Sequence, residues 1–329
     1  MTRSTLFPRR TAVAAIVTAA ALALTACGTT EAPNDKSSSG DRIVLRDATG
    51  ARITLDGPAT RVVGTEWNVV ENLVSLGVDP VGAADVKGYQ AWSSAVPLDN
   101  EPKDIGTRGE PSVDTVAALA PDLIVATTDL SSAAVKQLGK IAPVLEVRAA
   151  DASDQIEQMF TNLELIAKAT GTSATASSIR KHFDTTIAEG TTAIEQAGLS
   201  GARFAFADGY VDANQVTVRA YTAGSLIGDV TSALGLKNAW SMQGDKAYGI
   251  ATTDVEGLTT LGDVQFMYID NGADDQDPFA DALADNAVWT SLPFVQDGAV
   301  HRLPDGIWMF GGPATMEAYV HAVVYALTE

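Results

Sequence analysis

The sequence predicts an α/β protein of two lobes, each built on a central, mostly parallel sheet, with one long α-helix joining them. Three observations carry that expectation. Short apolar strand segments alternate with amphipathic helical ones from residue 61 to 147 and again after 198, the pattern of a parallel sheet covered by helices on both faces. Between the two stretches, residues 153–196 contain no proline and few strand formers, and their apolar residues recur at helical spacing. The chain of 329 residues is 46 % hydrophobic and 19 % charged, which supplies apolar material for two cores.

The first segment is a sorting address. Arg3, Arg9 and Arg10 precede an uncharged run from Thr11 to Ala26, and Cys27 follows. Cations and then a short apolar stretch make a secretory signal, shorter than the ~20 apolar residues that span a bilayer. Leu24-Thr25-Ala26-Cys27 resembles the bacterial lipobox, and Cys27 is the only cysteine in the chain. The expected organisation is therefore a signal peptide over 1–26, a lipid on Cys27, and a flexible tether over 27–41 whose small polar residues have nothing to bury. Lipid would hold the body at the extracytoplasmic face of the cell membrane. Whether the adjacent arginines select the general or the twin-arginine export route stays open.

The body begins with a hairpin, Ile43–Leu45 and Ala51–Leu55, turned by Asp47 and Gly50. A strand over Arg61–Thr65 leads to a helix over Asn68–Leu76 that stops at Gly77. Val78–Ala83 reads as the next strand. A helix capped by Ser112 runs to a stop before Pro121, and Asp122–Ala126 is a buried strand. Helix Ser131–Ile141 and strand Pro143–Val147 repeat the order. Two helices of about 18 and about 25 residues, both longer than the ~11–12-residue mean, then fill 153–196. The first lobe is expected over 42–171, the joining helix over 172–198 and the second lobe over 199–329. In that last part come a strand over Arg203–Ala207, helices over Ser225–Leu234 and Asp254–Leu261, a strand over Val264–Ile269, and a final helix from Pro313 to about Leu327.

Composition narrows the function. With 22 Lys and Arg against 41 Asp and Glu, the formal charge is −19, which repels a phosphate backbone and leaves no case for nucleic acid. A single cysteine forbids an internal disulfide or a thiolate cluster. The three histidines, His182, His301 and His321, do not form a zinc-protease spacing, and the phosphate-loop, dinucleotide and serine-hydrolase signatures are absent. A non-enzyme is expected.

The blocks Asp104-Ile105-Gly106-Thr107-Arg108-Gly109-Glu110-Pro111 and Leu119-Ala120-Pro121-Asp122-Leu123-Ile124 resemble those of the iron-siderophore solute-binding proteins of ABC importers. Glu66-Trp67, Tyr89-x-x-Trp92, Asn238-Ala239-Trp240 and Arg302-Leu303-Pro304 with Trp308-Met309-Phe310-Gly311 are most similar to the ferric-hydroxamate binders among them. The likeness spans about residues 42 to 327. It implies a helical-backbone, class III periplasmic-binding-protein-like fold and a cleft between the lobes. It also implies a ferric hydroxamate siderophore as ligand, an ABC permease with its ATPase as partner, and a monomeric receptor. Carried over by position, the ligand-binding residues are Arg108, Trp92, Trp308, Tyr248, Trp240 and Tyr89, with Arg219 or Tyr221 standing in for a tyrosine where this chain has Leu130. Asp114 and Glu256, one in each lobe, match the acidic residues expected to meet the permease. Their other reading is as first-turn acids favoured by the helix dipole.

The residues suit that ligand on their own account. A tris-hydroxamate surrounds Fe(III) with six oxygens of its own, so no cofactor and no protein metal ligand is needed. Tyr and Trp offer large apolar area with a hydrogen-bond donor at little rotamer cost. Arg108, set between Gly106 and Gly109, offers a planar fork of donors. A trianionic tris-catecholate would want more cations than Arg108, Lys87, Arg219 and Lys246. Four other readings stay open: a catecholate siderophore despite its charge, haem held through Tyr248 or Tyr89, cobalamin, and an anchored hydrolase using Asp208, Asp212 or the carboxylates of 270–277. A metal-ion site has only His301 to offer.

Overall fold

The structure is a computed structural model and describes residues 42–213, 215–272 and 276–329. The signal peptide, Cys27 and the tether lie outside the described residues. No described helix is long and apolar enough to cross a membrane.

The hairpin forms as expected. Strand β1 (Ile43–Arg46) pairs antiparallel with β2 (Arg52–Leu55), and the Asp47 carboxylate closes the turn by accepting from the backbone N–H of Thr49 and Ala51. The first lobe then runs β3 (Val62–Gly64), α1 (Trp67–Ser75), β4 (Gly82–Ala83), α2 (Val86–Trp92), β5 (Lys103–Asp104), α3 (Val113–Ala118), β6 (Leu123–Thr127), α4 (Ser132–Leu138) and β7 (Val144–Val147). Its sheet has the order β5-β4-β3-β6-β7, and every pair is parallel. Ser112 caps α3 and Ser131 caps α4 by accepting from the backbone three residues on. The strand expected over 78–83 contracts to Gly82–Ala83, because Pro80 has no N–H to give a ladder. Helix α2, unforeseen, takes up the next stretch.

Side chains alternate across this sheet. Val62, Leu123, Val125 and Leu145 face one core, shared with α1 and α5; Val63, Ile124, Ala126 and Val144 face a second, under α3 and α4. The chain leaves through α5 (Gln155–Thr170) and α6 (Ser173–Gln196), close to the expected lengths. Gly171, at φ 75°, ends α5 in the left-handed conformation that favours glycine.

The second lobe comprises β8 (Arg203–Asp212), β9 (Gln215–Tyr221), α7 (Leu226–Ala233), β10 (Lys237–Asn238), β11 (Ile250–Thr253), a 3₁₀ helix over Glu256–Thr260, β12 (Gln265–Tyr268), α8 (Ala287–Ser291), α9 (Pro293–Gln296), β13 (Val300–Arg302) and α10 (Pro313–Thr328). The sheet order is β11-β9-β8-β12-β13, with β10 beside the start of β8. Here the sheet is mixed: β12 runs parallel to β8 and β13, while β9 is antiparallel to β8 and to β11. Asp212 pairs with Gln215, so β8 and β9 form a hairpin, and so short a connection leaves only the antiparallel arrangement. The helix expected over Asp254–Leu261 is reduced to its 3₁₀ turn.

One core threads both lobes. Phe204, Phe206, Tyr221 and Met267 from the second sheet join α5, α6, α7, α10 and the first sheet in a single apolar cluster. Helix α6 is thereby packed along its length. At Gly190 a Cβ would come within 2.7 Å of Leu234 and 3.0 Å of Val320, so only glycine admits this approach.

The chain also returns to the first lobe after β13. Ser94 donates its N–H to the Gly306 carbonyl at 2.9 Å. The fully buried Glu71 carboxylate of α1 accepts from the N–H groups of Gly312 and Thr315 and from the Thr315 hydroxyl, at 2.8–2.9 Å. A first-lobe acid thus caps α10 across the lobe boundary, satisfying N–H groups that have no partner within the helix.

Candidate functional site

Two loops of the first lobe and three segments that follow β8 converge on a cleft of about 350 Å³. From the first lobe come Glu66, which caps α1, and Arg108, from the loop between β5 and α3. From the second come Arg219 on β9 and Tyr248 ahead of β11, and from the returning segment Trp308 and Phe310. Gly106 adopts φ 98°, a conformation closed to most side chains, and turns the loop that carries Arg108.

Arg108 lies with its guanidinium carbon 3.9 Å from the centre of the Trp67 ring and 5.1 Å from that of Trp308. Its Nη1 donates to Glu66 Oε1 at 2.9 Å, and the same oxygen accepts from the Trp67 N–H. The partner is Glu66 and not the neighbouring Glu110. With side chains 33 % and 22 % exposed, Arg108 and Glu66 form a half-buried pair whose remaining guanidinium edge is unbonded among the described residues.

The opposite wall repeats the theme. Arg219 donates through Nε to Asp208 Oδ1 at 2.7 Å and through Nη2 to Oδ2, a bidentate pair, and the buried Tyr221 hydroxyl donates to the same Oδ2. Burial pushes the Asp208 carboxyl up, while the bonds from Arg219 and Tyr221 pull it back. Tyr221 is wholly buried, so of the two substitutes for the tyrosine lacking at Leu130 only Arg219 reaches the cleft. Leu130 itself is core. Its neighbour Asp129 accepts from the Tyr248 hydroxyl, a bond that ties the two lobes across the cleft. Burial and then that bond to Asp129 raise the Tyr248 phenol far above its ordinary range, so it stays protonated.

The floor is aromatic. Trp92 packs edge-on against Trp308 at 5.6 Å, Trp308 meets Phe310 at 5.0 Å, and Phe310 meets Tyr248 at 5.2 Å. Trp92 therefore sits behind Trp308 and supports it.

Two expected ligand contacts are corrected. Tyr89 is completely buried and donates its hydroxyl to the Val96 carbonyl, because α2 turns that face onto the cluster of Trp67, Val70 and Leu98. Trp240, 6 % exposed, lies on the far face of the second sheet and donates its indole N–H to the Phe206 carbonyl. Neither reaches the cleft. His301, on β13, is hydrogen-bonded to Gln265 and is also outside it.

Glu66, Asn68 and Phe310 are cleft residues absent from the ligand-binding set carried over by position, although Glu66 and Phe310 stand within the quoted blocks. A tight turn, in which the Gly311 N–H donates to the Trp308 carbonyl at 2.9 Å, brings Phe310 beside Trp308. The bonds that Asp129 and Glu66 make were not legible, because their partners are 119 and 42 residues away. Of the carboxylates considered for hydrolysis, Asp208 is engaged with Arg219, and Asp270 and Asp277 with Arg302, which also bonds Asp305, while Asp212 is exposed at the end of β8. Asp274 and Asp275 lie outside the described residues. Asp114 and Glu256 are both exposed, in the first turns of α3 and of the 3₁₀ helix.

Comparison with known proteins agrees with this architecture. The sequence profile described as "Periplasmic binding protein" matches residues 62–306. The iron(3+)-hydroxamate-binding protein FhuD of Escherichia coli strain K12 is 25 % identical over 268 residues, covering 81 % of this chain and 86 % of that protein. The Fe(3+)-citrate-binding protein YfmC of Bacillus subtilis strain 168 is 26 % identical over 301 residues, covering 90 % of each. Among solved structures, the Fe3+-Desferal-bound siderophore-binding protein FhuD of Vibrio cholerae superposes with a TM-score of 0.74 at 25 % identity, over 82 % of this chain and 98 % of that one. The triscatecholate siderophore-binding protein FeuA of Bacillus subtilis, at 19 % identity and TM-score 0.67 over 87 % of this chain and 98 % of that one, shares the fold.

Proposed function

Since the chain belongs to the periplasmic-binding-protein family, we propose that it is the receptor of an ABC importer, binding a ferric hydroxamate siderophore between its lobes. The observation that carries this reading is the charge of the cleft. Both arginines on its walls are already paired with carboxylates, Arg108 with Glu66 and Arg219 with Asp208, and Asp129 and Asp245 add further negative charge nearby. A trianionic catecholate or a ferric citrate would meet no unpaired cation among the described cleft residues, and burying its charge there would be costly. A ferric tris-hydroxamate is neutral, or cationic where it carries a free amine. Trp308, Phe310 and Tyr248 offer it a broad apolar floor, and the open edge of Arg108 offers donors to the oxygens around the iron. Iron enters as part of the ligand, with no resident cofactor. Haem finds little support: Tyr89 is buried, and the protonated, Asp129-bound Tyr248 is a poor axial ligand.

The remaining parts of the proposal follow the sequence. Lipid on Cys27 anchors a monomeric, non-enzymatic receptor at the extracytoplasmic face. Asp114 and Glu256, one exposed acid on each lobe, dock the permease. Charge reversal at both, Asp114→Lys with Glu256→Lys, is expected to suppress iron-siderophore uptake by cells while leaving the solution Kd within twofold. A changed Kd, or unchanged uptake, removes these acids from the docking surface.

The direct test is a tryptophan-fluorescence titration of the soluble body with ferrioxamine, ferrichrome, a ferric catecholate, ferric citrate, haem and cobalamin. Trp308 lines the floor and Trp92 packs behind it, so a hydroxamate should quench strongly and saturably, and the anionic complexes should not. Saturation by citrate or catecholate alone would keep the transport reading and overturn the ligand.

A further inference from the structure

The cleft continues into a narrow side pocket that shares Asn68, Ala149, Tyr248 and Phe310 with it and is closed at its end by Asn72, Gln155, Gln158 and Asn162. Its walls are amides. Three of these are committed: Gln155 donates to the carbonyls of Gly224 and Ala247, Gln158 donates to Asn162, and Asn162 donates to the Arg148 carbonyl. Asn68 and Asn72 differ. Among the described residues, neither side-chain amide makes a hydrogen bond, and the carbonyl oxygen of each is buried without a donor. Asn72 is only 3 % exposed, so its oxygen has no bulk water to turn to. An unsatisfied buried acceptor costs about 1–3 kcal/mol, which makes an idle pair at the end of an open pocket a feature in want of a partner.

Resting on the hydroxamate reading, we propose that Asn68 and Asn72 form a subsite for a terminal ammonium on the ligand. The missing partner must be a donor, because the unpaired atoms are carbonyl oxygens. It must be small, because the pocket has room for about one water-sized group and none for the octahedral shell around the iron. It is favoured as a cation by its neighbours: Asp245 borders the adjoining cleft, Asp129 holds Tyr248, and the Glu71 carboxyl lies behind Gly311 and Gly312. Arg108 and Arg219 are committed to their own carboxylates. A slender alkyl chain ending in –NH3+ meets all three conditions. The iron shell would rest on the aromatic floor while the tail enters beside Phe310 and turns the amides toward its protons.

The test compares three ferric tris-hydroxamates by fluorescence titration: a linear one with a free terminal amine, the same compound N-acetylated, and a cyclic one without a tail. The intact body should bind the amine form at least tenfold more tightly than the acetylated form. In Asn68→Leu and Asn72→Leu that ratio should fall toward one, and in Asn72→Leu, whose side chain lines only the side pocket, affinity for the cyclic compound should stay within threefold of the starting value. In Asn68→Asp the preference for the amine should grow. Asn68 is only partly buried, so its variants remain informative should Asn72→Leu fail to fold. Equal binding of all three ligands, unaltered by the variants, would show that the pocket holds only water, and the subsite would be refuted with the hydroxamate reading intact. Failure of all three to bind the unaltered body would instead sink the functional reading itself.

Discussion

On the proposed function, Arg108→Ala is expected to weaken binding of a ferric hydroxamate by roughly 1.5–3 kcal/mol, the range of a charge-assisted hydrogen bond, or about 10- to 150-fold in Kd. Two losses add. The guanidinium edge that faces the cleft disappears, and the Glu66 carboxylate, held in place by the Trp67 N–H, is left facing the ligand's oxygens without its counter-ion. The two can be separated. Arg108→Ala combined with Glu66→Gln removes the exposed charge as well as the donor, and it should recover part of the affinity in a double-mutant cycle. Arg108→Lys should recover little, since an ammonium cannot lie flat over Trp67 while bonding sideways to Glu66. An unchanged Kd in Arg108→Ala would place the ligand elsewhere.

The largest effect on stability is expected at Glu71. Its carboxylate collects three bonds from the start of α10, and burial drives its pKa up despite them. Glu71→Ala leaves the N–H groups of Gly312 and Thr315 without acceptors in the interior and opens a void between α1 and α10. At about 1 kcal/mol per bond, with the cost of the orphaned donors, the loss is roughly 2–4 kcal/mol, or about 5–10 °C in Tm by thermal circular dichroism. Glu71→Gln keeps one acceptor oxygen and avoids the buried charge, so it should melt between the two. Since α10 begins just after Phe310, Glu71→Ala should also blunt the ligand-induced quenching. A Tm within 2 °C of the unaltered protein would mean that α10 is held by its apolar face alone.

The fold was largely legible because its elements are local. Apolar periodicity placed α5 and α6, Ser112 and Ser131 marked helix starts, and Asp47 with Gly50 marked the hairpin turn. Strand β9 was legible in principle. Its Val216, Val218 and Ala220 face one core, while on the other side of the strand Tyr221 enters the second core and Arg219 lines the cleft. Weak elements were not legible: two-residue strands such as β5 and β10 exist only because a neighbouring strand supplies their bonds.

Chain chemistry by itself determined the two-lobe α/β plan and the acidic character that turns away nucleic acid, while the resemblance of its motif blocks to the siderophore-binding proteins pointed to Arg108, Trp308 and Tyr248 as cleft residues. Tertiary structure alone decided which aromatic residues line the cleft and which charges are spent. Tyr89 and Trp240 carry the same motif signal as Tyr248 and Trp308, yet a helix face and a sheet face turn them into cores. Arg108 and Arg219 read as available cations until the fold sets Glu66 and Asp208 against them. Residue type and spacing govern local conformation through steric and hydrogen-bond preferences a few residues long. Exposure and charge pairing depend on contacts between segments far apart in the chain, which come into being only when the whole body has packed.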